Sequence, residues 1–247
     1  MGKKYFTVSY DDGLVQDEQI ISLMRRYGIK GTFNLNSALF GERRYIKHIG
    51  NLGYKVVDKA SWDTVSCHVI SEQKALEIYK GDDIEIASHG SHHLKESTLI
   101  ASQLQTEIVA DKERLTRLFG QEVTGHIFPY GDYSADTIAF MKKAGLRYGR
   151  AVRMLKKPKD FQFHHDRGIM IPTCWQLDYF AESLLQDFID LKETDDDQVF
   201  LMWGHGYELD FGTRKGNWQR LEKLFQMVAR AGDIICVTNA QLAKRLL

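Results

Sequence analysis

The run Tyr5-Phe6-Thr7-Val8-Ser9-Tyr10-Asp11-Asp12-Gly13 decides how the rest of the chain is read. Tyr5–Ser9 is dense in β-branched and aromatic residues, which suit a pleated, buried surface, so it reads as a strand. It runs into two adjacent acids and a glycine, residue types that favour a turn. A helical pattern follows: Gln16–Tyr27 sets Ile20, Leu23, Met24 and Tyr27 on one face. Gly28 and Gly31 supply the helix stop and the turn into a second strand, Gly31–Leu35.

The same alternation continues to the end of the chain. After a less regular region come a helix over Ser71–Tyr79, a strand over Asp83–Ser88 and a long helix near Ala101–Phe119. Strand Val123–Phe128, helix Ser134–Ala144 and short strands around Tyr148–Val152 and Ile169–Ile171 come next. Helix Ala181–Leu191, strand Val199–Trp203, helix Asn217–Ala231, strand Ile234–Val237 and a helix from Asn239 complete the pattern. Strands alternating with helices predict βαβ units and a mostly parallel sheet. Seven or eight strands favour a barrel over an open sheet. Three prolines among 247 residues and no low-complexity linker point to one domain over residues 1–247.

Composition narrows the class. Lys+Arg and Asp+Glu balance at 33 each, with no basic block, so neither nucleic acid nor an anionic membrane is an expected partner. No apolar run approaches the ~20 residues of a membrane span. Cys67, Cys174 and Cys236 lack metal or redox spacing and read as reduced thiols. Lys3-Lys4 leads straight into a strand without the apolar core of a signal peptide. A cytoplasmic location is therefore expected, or a secreted one if a leader has been removed. Nothing in the sequence specifies an oligomeric state.

If the sheet is a barrel, chemistry belongs beyond the carboxyl ends of its strands. Four polar clusters stand at such ends. Asp11-Asp12-Gly13 follows the first strand, and Ser88-His89-Gly90-Ser91-His92-His93 ends the third. Pro129-Tyr130-Gly131 follows Val123–Phe128, and His205 follows Val199–Trp203. Taken singly, each has an ordinary reading as a turn or a surface histidine; their meaning lies in occurring together. His89 and His93, at i and i+4, would share one face of a helical turn and can chelate one ion. Two imidazoles and the Asp12 carboxylate suit a borderline divalent cation with a position open to water. Zinc is expected, with cobalt, manganese and nickel compatible with the same donors. Asp11, adjacent but not ligating, can take the water's proton, and His205 can protonate a leaving amine. His92 reads as supporting these ligands or facing solvent.

At these residues the chain resembles the NodB-homology polysaccharide deacetylases, carbohydrate esterase family 4. Tyr10-Asp11-Asp12-Gly13 matches the family's first motif, and His89-Gly90-Ser91-His92-His93, preceded by Glu85-Ile86, its second. Thr32-Phe33 with Asn36, Pro129-Tyr130-Gly131, and the strand Leu201-Met202-Trp203-Gly204-His205 match further stretches. The resemblance implies a distorted (β/α) barrel, often seven-stranded, binding zinc or a similar ion. It implies Asp11 as base, His205 as acid, and the backbone N–H of Tyr130 facing the developing oxyanion. Two features depart from the family pattern. Where members carry an arginine that holds the catalytic Asp, this chain has His126-Ile127-Phe128, leaving Arg167 or no residue to hold Asp11. The family's Asp-and-Trp motif is unplaced, with Trp175 expected in the acyl pocket and Asp166 or Asp178 beside His205.

The expected function is hydrolysis of an N-acetyl or similar small acyl group from a carbohydrate or other small acylated substrate. An O-acetyl esterase, a deformylase or a cyclic-amide hydrolase would use the same centre. A non-catalytic carbohydrate-binding relative is the alternative of another class, although it would need no paired acid and base.

Overall fold

The computed structural model describes residues 2–49, 54–154, 161–192, 195–212 and 214–247. In chain order its first elements are β1 (Lys4–Asp11), α1 (Asp17–Arg26), β2 (Gly31–Leu35), β3 (Tyr45–His48), β4 (Tyr54–Val57) and β5 (Thr64–Ser66). Then come α2 (Glu72–Ile78), β6 (Ile84–Ser88), α3 (Ala101–Leu104), α4 (Asp111–Phe119), β7 (Gly125–Ile127), α5 (Ala135–Lys143) and β8 (Tyr148–Arg150). Three two-residue strands follow: β9 (His165–Asp166), β10 (Ile169–Met170) and β11 (Cys174–Trp175). The chain ends with α6 (Ala181–Ile189), β12 (Gln198–His205), α7 (Arg214–Ala231), β13 (Ile234–Cys236) and α8 (Asn239–Leu246).

Ten strands form one curled sheet in the order β11-β12-β1-β2-β6-β7-β8-β10-β9, with β13 attached to β1. Among the described residues only β9 runs antiparallel in this sheet. This is the expected barrel-like α/β fold, with more strands than the seven or eight read from the pattern. The surplus is β9 and β11, two-residue pieces too short to carry a periodic signal, whereas β10 and β13 fall on the strands read at Ile169–Ile171 and Ile234–Val237. Among the described residues no ladder joins the two ends of the sheet; an isolated antiparallel bridge, Gln162 to Gln198 of β12, is the contact recorded there.

Alternation along the strands sorts the interior. Phe6, Val8 and Tyr10 of β1, with Phe200 and Met202 of β12, pack outward against Ile20, Met24, Leu221 and Phe225 of the helices. Tyr5, Val199 and Leu201 belong to a second cluster with Ala87, Ile127, Tyr148 and Met170, closed by Leu242 and Ala243 of α8. On that second parity β1 ends at Asp11 and β12 at His205.

Two segments differ from the sequence reading. The stretch Ala101–Phe119 is one helical run only in outline, because a π-helical turn at Gln105–Ala110 separates α3 from α4. The less regular region contains the antiparallel sheet β4-β3-β5, placed beside the mouth of the barrel. Its strands mix exposed and half-buried positions, so no clean alternation marks them. Among the described residues no helix is long and apolar enough to cross a membrane.

Phe200 is the hub of the outward layer, with ring centroids 5.5 Å from Phe188, 5.8 Å from Phe6 and 6.0 Å from Phe161. Phe200→Ala should lower unfolding free energy by about 3–5 kcal/mol, read from the urea midpoint at unchanged slope. A loss below about 1 kcal/mol would mean that the layer relaxes to fill the space.

Candidate metal centre and catalytic pair

β1 and β12 run in register to their last residues, so Asp11 stands opposite His205. On the other edge of β1, Asn34 of β2 stands opposite Asp11 and donates from Nδ2 to its Oδ1 at 2.7 Å. Arg150, the last residue of β8, reaches across the barrel and donates from Nη2 to both Asp11 oxygens, at 2.5 and 2.6 Å. Its guanidinium also lies 4.9 Å from the centre of the Trp203 ring. Burial alone would push the Asp11 carboxyl up. The charge of Arg150, with His89 and His205 adding to it, instead holds it well below the usual carboxylate range.

Asp12 is placed differently. Its Oδ1 lies 3.6 Å from His89 Nε2 and 3.4 Å from His93 Nε2, and the three ligand atoms all fall within 4.8 Å of one another. These separations exceed hydrogen-bond length. They match the roughly 3.4 Å edge of a tetrahedron of donors about 2.1 Å from one centre. Asp12 Oδ1 is buried without a hydrogen-bond partner, a costly condition that a cation among the three atoms would relieve. His89 Nδ1 donates to the Ile127 carbonyl at 2.8 Å, a tautomer assigned from that contact, which leaves Nε2 as a lone pair facing inward. Burial lowers the His89 pKa to about 4, so the ring is neutral, as a ligand must be. The residues present fit a divalent ion.

The histidines converge by a route other than the expected helical turn. Residues 89–93 are a non-helical loop in which Gly90 and His93 take left-handed φ of 72° and 57°. Asn36 Nδ2 pins the His89 and Gly90 carbonyls at 2.5 and 2.7 Å, and Glu107, in the π turn, accepts the His92 N–H at 2.8 Å. His92 is half-exposed and pairs with the same carboxylate, which places it in support of the loop. Among the described residues four non-glycines have positive φ, and three of them are Asp12, His93 and Tyr130. Such backbone persists only where the surroundings over-determine it, and it gathers at functional sites.

His205 Nε2 points toward Asp11 Oδ2 at 3.9 Å, and its Nδ1 meets Glu208 Oε1 at 2.8 Å. Burial disfavours the charged ring, but the Glu208 carboxylate, with Asp12 and Asp11 behind it, raises its pKa to about 9. Glu208 is itself buried; its Oε2 accepts the His205 N–H at 3.1 Å, Trp175 Nε1–H at 2.6 Å and Gln176 Nε2–H at 2.8 Å.

Asp11, Asp12, His89, His93 and His205 line a cavity of about 410 Å³, walled by Phe128, Val152, Trp203 and Tyr207. A larger depression of about 750 Å³ between α1 and β5 includes none of them, so volume alone would mislead here. Tyr130 is on the cavity wall with its ring 4.6 Å from that of His93.

Three expectations need correction. Arg167 is exposed and faces Asp166, while Arg150 holds Asp11. Asp178 accepts the Phe180 N–H ahead of α6, and neither it nor Asp166 reaches His205; Glu208 does. Trp175 is drawn to Glu208 by its indole N–H, and Trp203 lines the cavity instead. Both missed partners left a trace in the sequence: Arg150 is a charge inside an apolar strand pattern, and Glu208 sits three residues after His205.

The polysaccharide deacetylase family matches residues 1–149 of this sequence. The chain belongs to the polysaccharide deacetylase family. No curated protein matches this deacetylase-family chain by sequence. Solved structures share its fold at low identity. The family 4 carbohydrate esterase from Streptomyces lividans, solved with acetate, superposes with TM-score 0.54 at 14% identity over 93% of this chain and 90% of that one. The Xyl-CE4 domain of a multidomain xylanase from the hindgut metagenome of Trinervitermes trinervoides gives 0.53 at 16% identity over 99% and 91%. A CE4 family pseudoenzyme from Bacillus anthracis gives 0.55 at 13% identity over 98% of this chain. The chain spans 66% of that protein's length.

Arg150→Met would leave Asp11 buried without its counter-charge, a change that typically costs about 3–5 kcal/mol. In the native protein the depressed Asp11 pKa contributes stability above the unfolded carboxyl pKa of about 4, lost only as pH falls through the lower folded value. In the variant burial dominates, the folded pKa rises above the unfolded one, and the penalty applies at high pH. The stability gap should therefore be widest near neutrality and narrow toward pH 4.5. A gap independent of pH would show that the pair is not the source.

Proposed function

We propose that this chain is a divalent-metal-dependent hydrolase that removes an N-acetyl or similar small acyl group from a carbohydrate substrate. The observation that carries the reading is the division within one cavity: Asp12, His89 and His93 converge on a point, with Asp11–Arg150 and His205–Glu208 beside it. When bound by Asp12, His89 and His93, a divalent ion would supply Lewis acidity toward the acyl carbonyl and the attacking water. Zinc suits two imidazoles and a carboxylate, and cobalt, manganese or nickel could take the same donors.

The chain's own groups account for the proton movements. Asp11 Oδ1 accepts from both Asn34 and Arg150 and Oδ2 from Arg150 alone, so Oδ2, which faces His205 and keeps the freer lone pair, is the atom that takes the water's proton. The water oxygen bonds to the acyl carbon and the carbonyl electrons move onto its oxygen, toward the Tyr130 backbone N–H. The C–N bond then breaks, with His205 Nε2–H delivering its proton to the departing amine. Glu208 keeps the imidazolium charged and aimed. Phe128, Val152 and Trp203 limit water around these steps.

Metal analysis of purified protein, followed by an acetate- and formate-release screen on acetylated sugars, aryl acetates and cyclic ureides, tests the reading. Asp11→Asn should keep near-normal metal while turnover falls roughly 10²-fold or more. Asp12→Ala and His93→Ala should lose metal and activity together. Equal metal loss in the Asp11 and Asp12 variants would overturn this division of roles. His205→Ala should depress cleavage of an amide far more than of an aryl acetate, because only the amine needs a proton to leave.

The alkaline limb of kcat/KM belongs to His205, which must be protonated, and should lie near pH 9. Asp11 must be ionised and, held low by Arg150, gives no acid limb within the usual carboxylate range. In Glu208→Gln the ring loses its counter-charge and burial prevails, so the alkaline limb should move down by roughly one to three pH units. A limb that stays in place would assign it to another group.

A further inference from the structure

The cavity wall carries one charge that the proposed mechanism does not use. Arg44, just ahead of β3, reaches the cavity from the small sheet. Its backbone is fixed: the N–H donates to His68 Nδ1 at 3.1 Å, and the carbonyl accepts the Cys67 N–H at 3.1 Å. Among the described residues its guanidinium has no close partner, and its charge acts on Asp12 only from beyond ion-pair distance. Nε and Nη2 are buried without a hydrogen-bond partner, and no carboxylate among the described residues pairs with it.

The other charged groups there are placed against groups of their own. Asp11 has Arg150, His205 has Glu208, and Asp12 faces the two histidines. Buried donors with nothing to donate to are costly, and a guanidinium fork matches the paired oxygens of a carboxylate or phosphate. Ile46 and Val56 flank Arg44 at the cavity edge and offer no polar partner in its place.

We propose that Arg44 binds an anionic group, carboxylate or phosphate, on the acylated substrate, making the preferred substrate an acidic sugar derivative. The proposal rests on the hydrolytic reading of this cavity, but its first test does not need turnover. Glucose 6-phosphate and glucuronate are titrated calorimetrically into wild-type, Arg44→Met and Arg44→Lys protein as purified. At least one anion should bind the wild type, and its affinity should fall roughly tenfold or more in Arg44→Met. Arg44→Lys, with the charge but not the fork, should recover part of it. The anion that loses more identifies phosphate or carboxylate as the group recognised. Equal affinity in wild type and Arg44→Met would place the anion elsewhere, and no binding of either would also overturn the proposal.

The second arm compares N-acetylglucosamine with its 6-phosphate and N-acetylglucosaminuronate. The kcat/KM preference for an anionic substrate should shrink in Arg44→Met, chiefly through KM. Arg44-dependent binding with no hydrolysis of any substrate would overturn the hydrolytic reading and leave this one standing. Hydrolysis with an unchanged preference, and no Arg44-dependent binding, would do the reverse.

Discussion

Asp11 is buried at the carboxyl end of β1, and an ionised carboxylate is tolerable there because Arg150 crosses the barrel to meet it. Taking a carboxylate out of water costs several kcal/mol, so an isolated one would take up a proton instead. The remedy constrains the strands around it. β8 must end at Arg150, and Trp203 must lie against the guanidinium. At Gly149 of β8 a side chain would come within 2.9 Å of the Phe128 ring, which walls the same cavity. Other interior acids are satisfied in other ways, Glu85 by neutral donors with its pKa raised by burial and Glu96 by a histidine. Glu85 accepts from Tyr148, Thr32 and the Ala240 N–H, and Glu96 meets His126 at 2.8 Å. Each acid ties together elements distant in sequence, so the polar interior specifies the fold along with the apolar layers.

Behind the loop at 89–93 lies a second set of such contacts. Ser88 Oγ meets Asp111 Oδ2 at 2.7 Å and His126 Nδ1 at 2.8 Å, and Asp111 Oδ1 accepts the Ser37 N–H at 3.0 Å. Glu107 and Asp111 come from the π turn and from the start of α4. π turns recur at functional sites. Here one carries the carboxylate that fixes the loop, which is how a left-handed His93 remains in place without glycine.

The sequence was informative where a residue acts close to its own strand end. Asp11, Asp12, His89, His93 and His205 could be found because each lies at or just past the carboxyl end of a strand in a βαβ pattern. β2 was legible residue for residue, since glycine opens it and Thr32, Phe33 and Leu35 suit a pleated strand. Arg150, Arg44 and Glu208 were not legible as parts of the site. Arg150 acts across the barrel on a partner 139 residues away, and Arg44 reaches the cavity from the small sheet; linear spacing encodes neither proximity. Glu208 is near in sequence, but its role depends on a one-turn 3₁₀ segment folding the carboxylate back onto His205. β9 and β11, and a small sheet of mixed exposure, likewise carry no period to read.

The adjacency of Asp11 and Asp12 raises a geometric difficulty. Successive side chains of a strand point to opposite faces, so if one acid looks into the barrel the next should look away. The strand solves this by ending: Asp11 is its last residue, and Asp12 turns with φ of 77°. That backbone costs of the order of 1–3 kcal/mol in a residue with a Cβ. In return, two acids adjacent in the chain reach the same cavity in opposite conditions. Asp11 has its charge answered and most acceptor positions filled, whereas Asp12 presents a buried, unpartnered Oδ1 to two imidazoles. Gly13 continues the turn with φ of 62°, and a side chain there would come within 2.7 Å of Leu35 Cδ2. The Asp-Asp-Gly order thus has a steric origin: a strand end that stays inward, a strained residue that turns back in, and a glycine where β2 leaves no room.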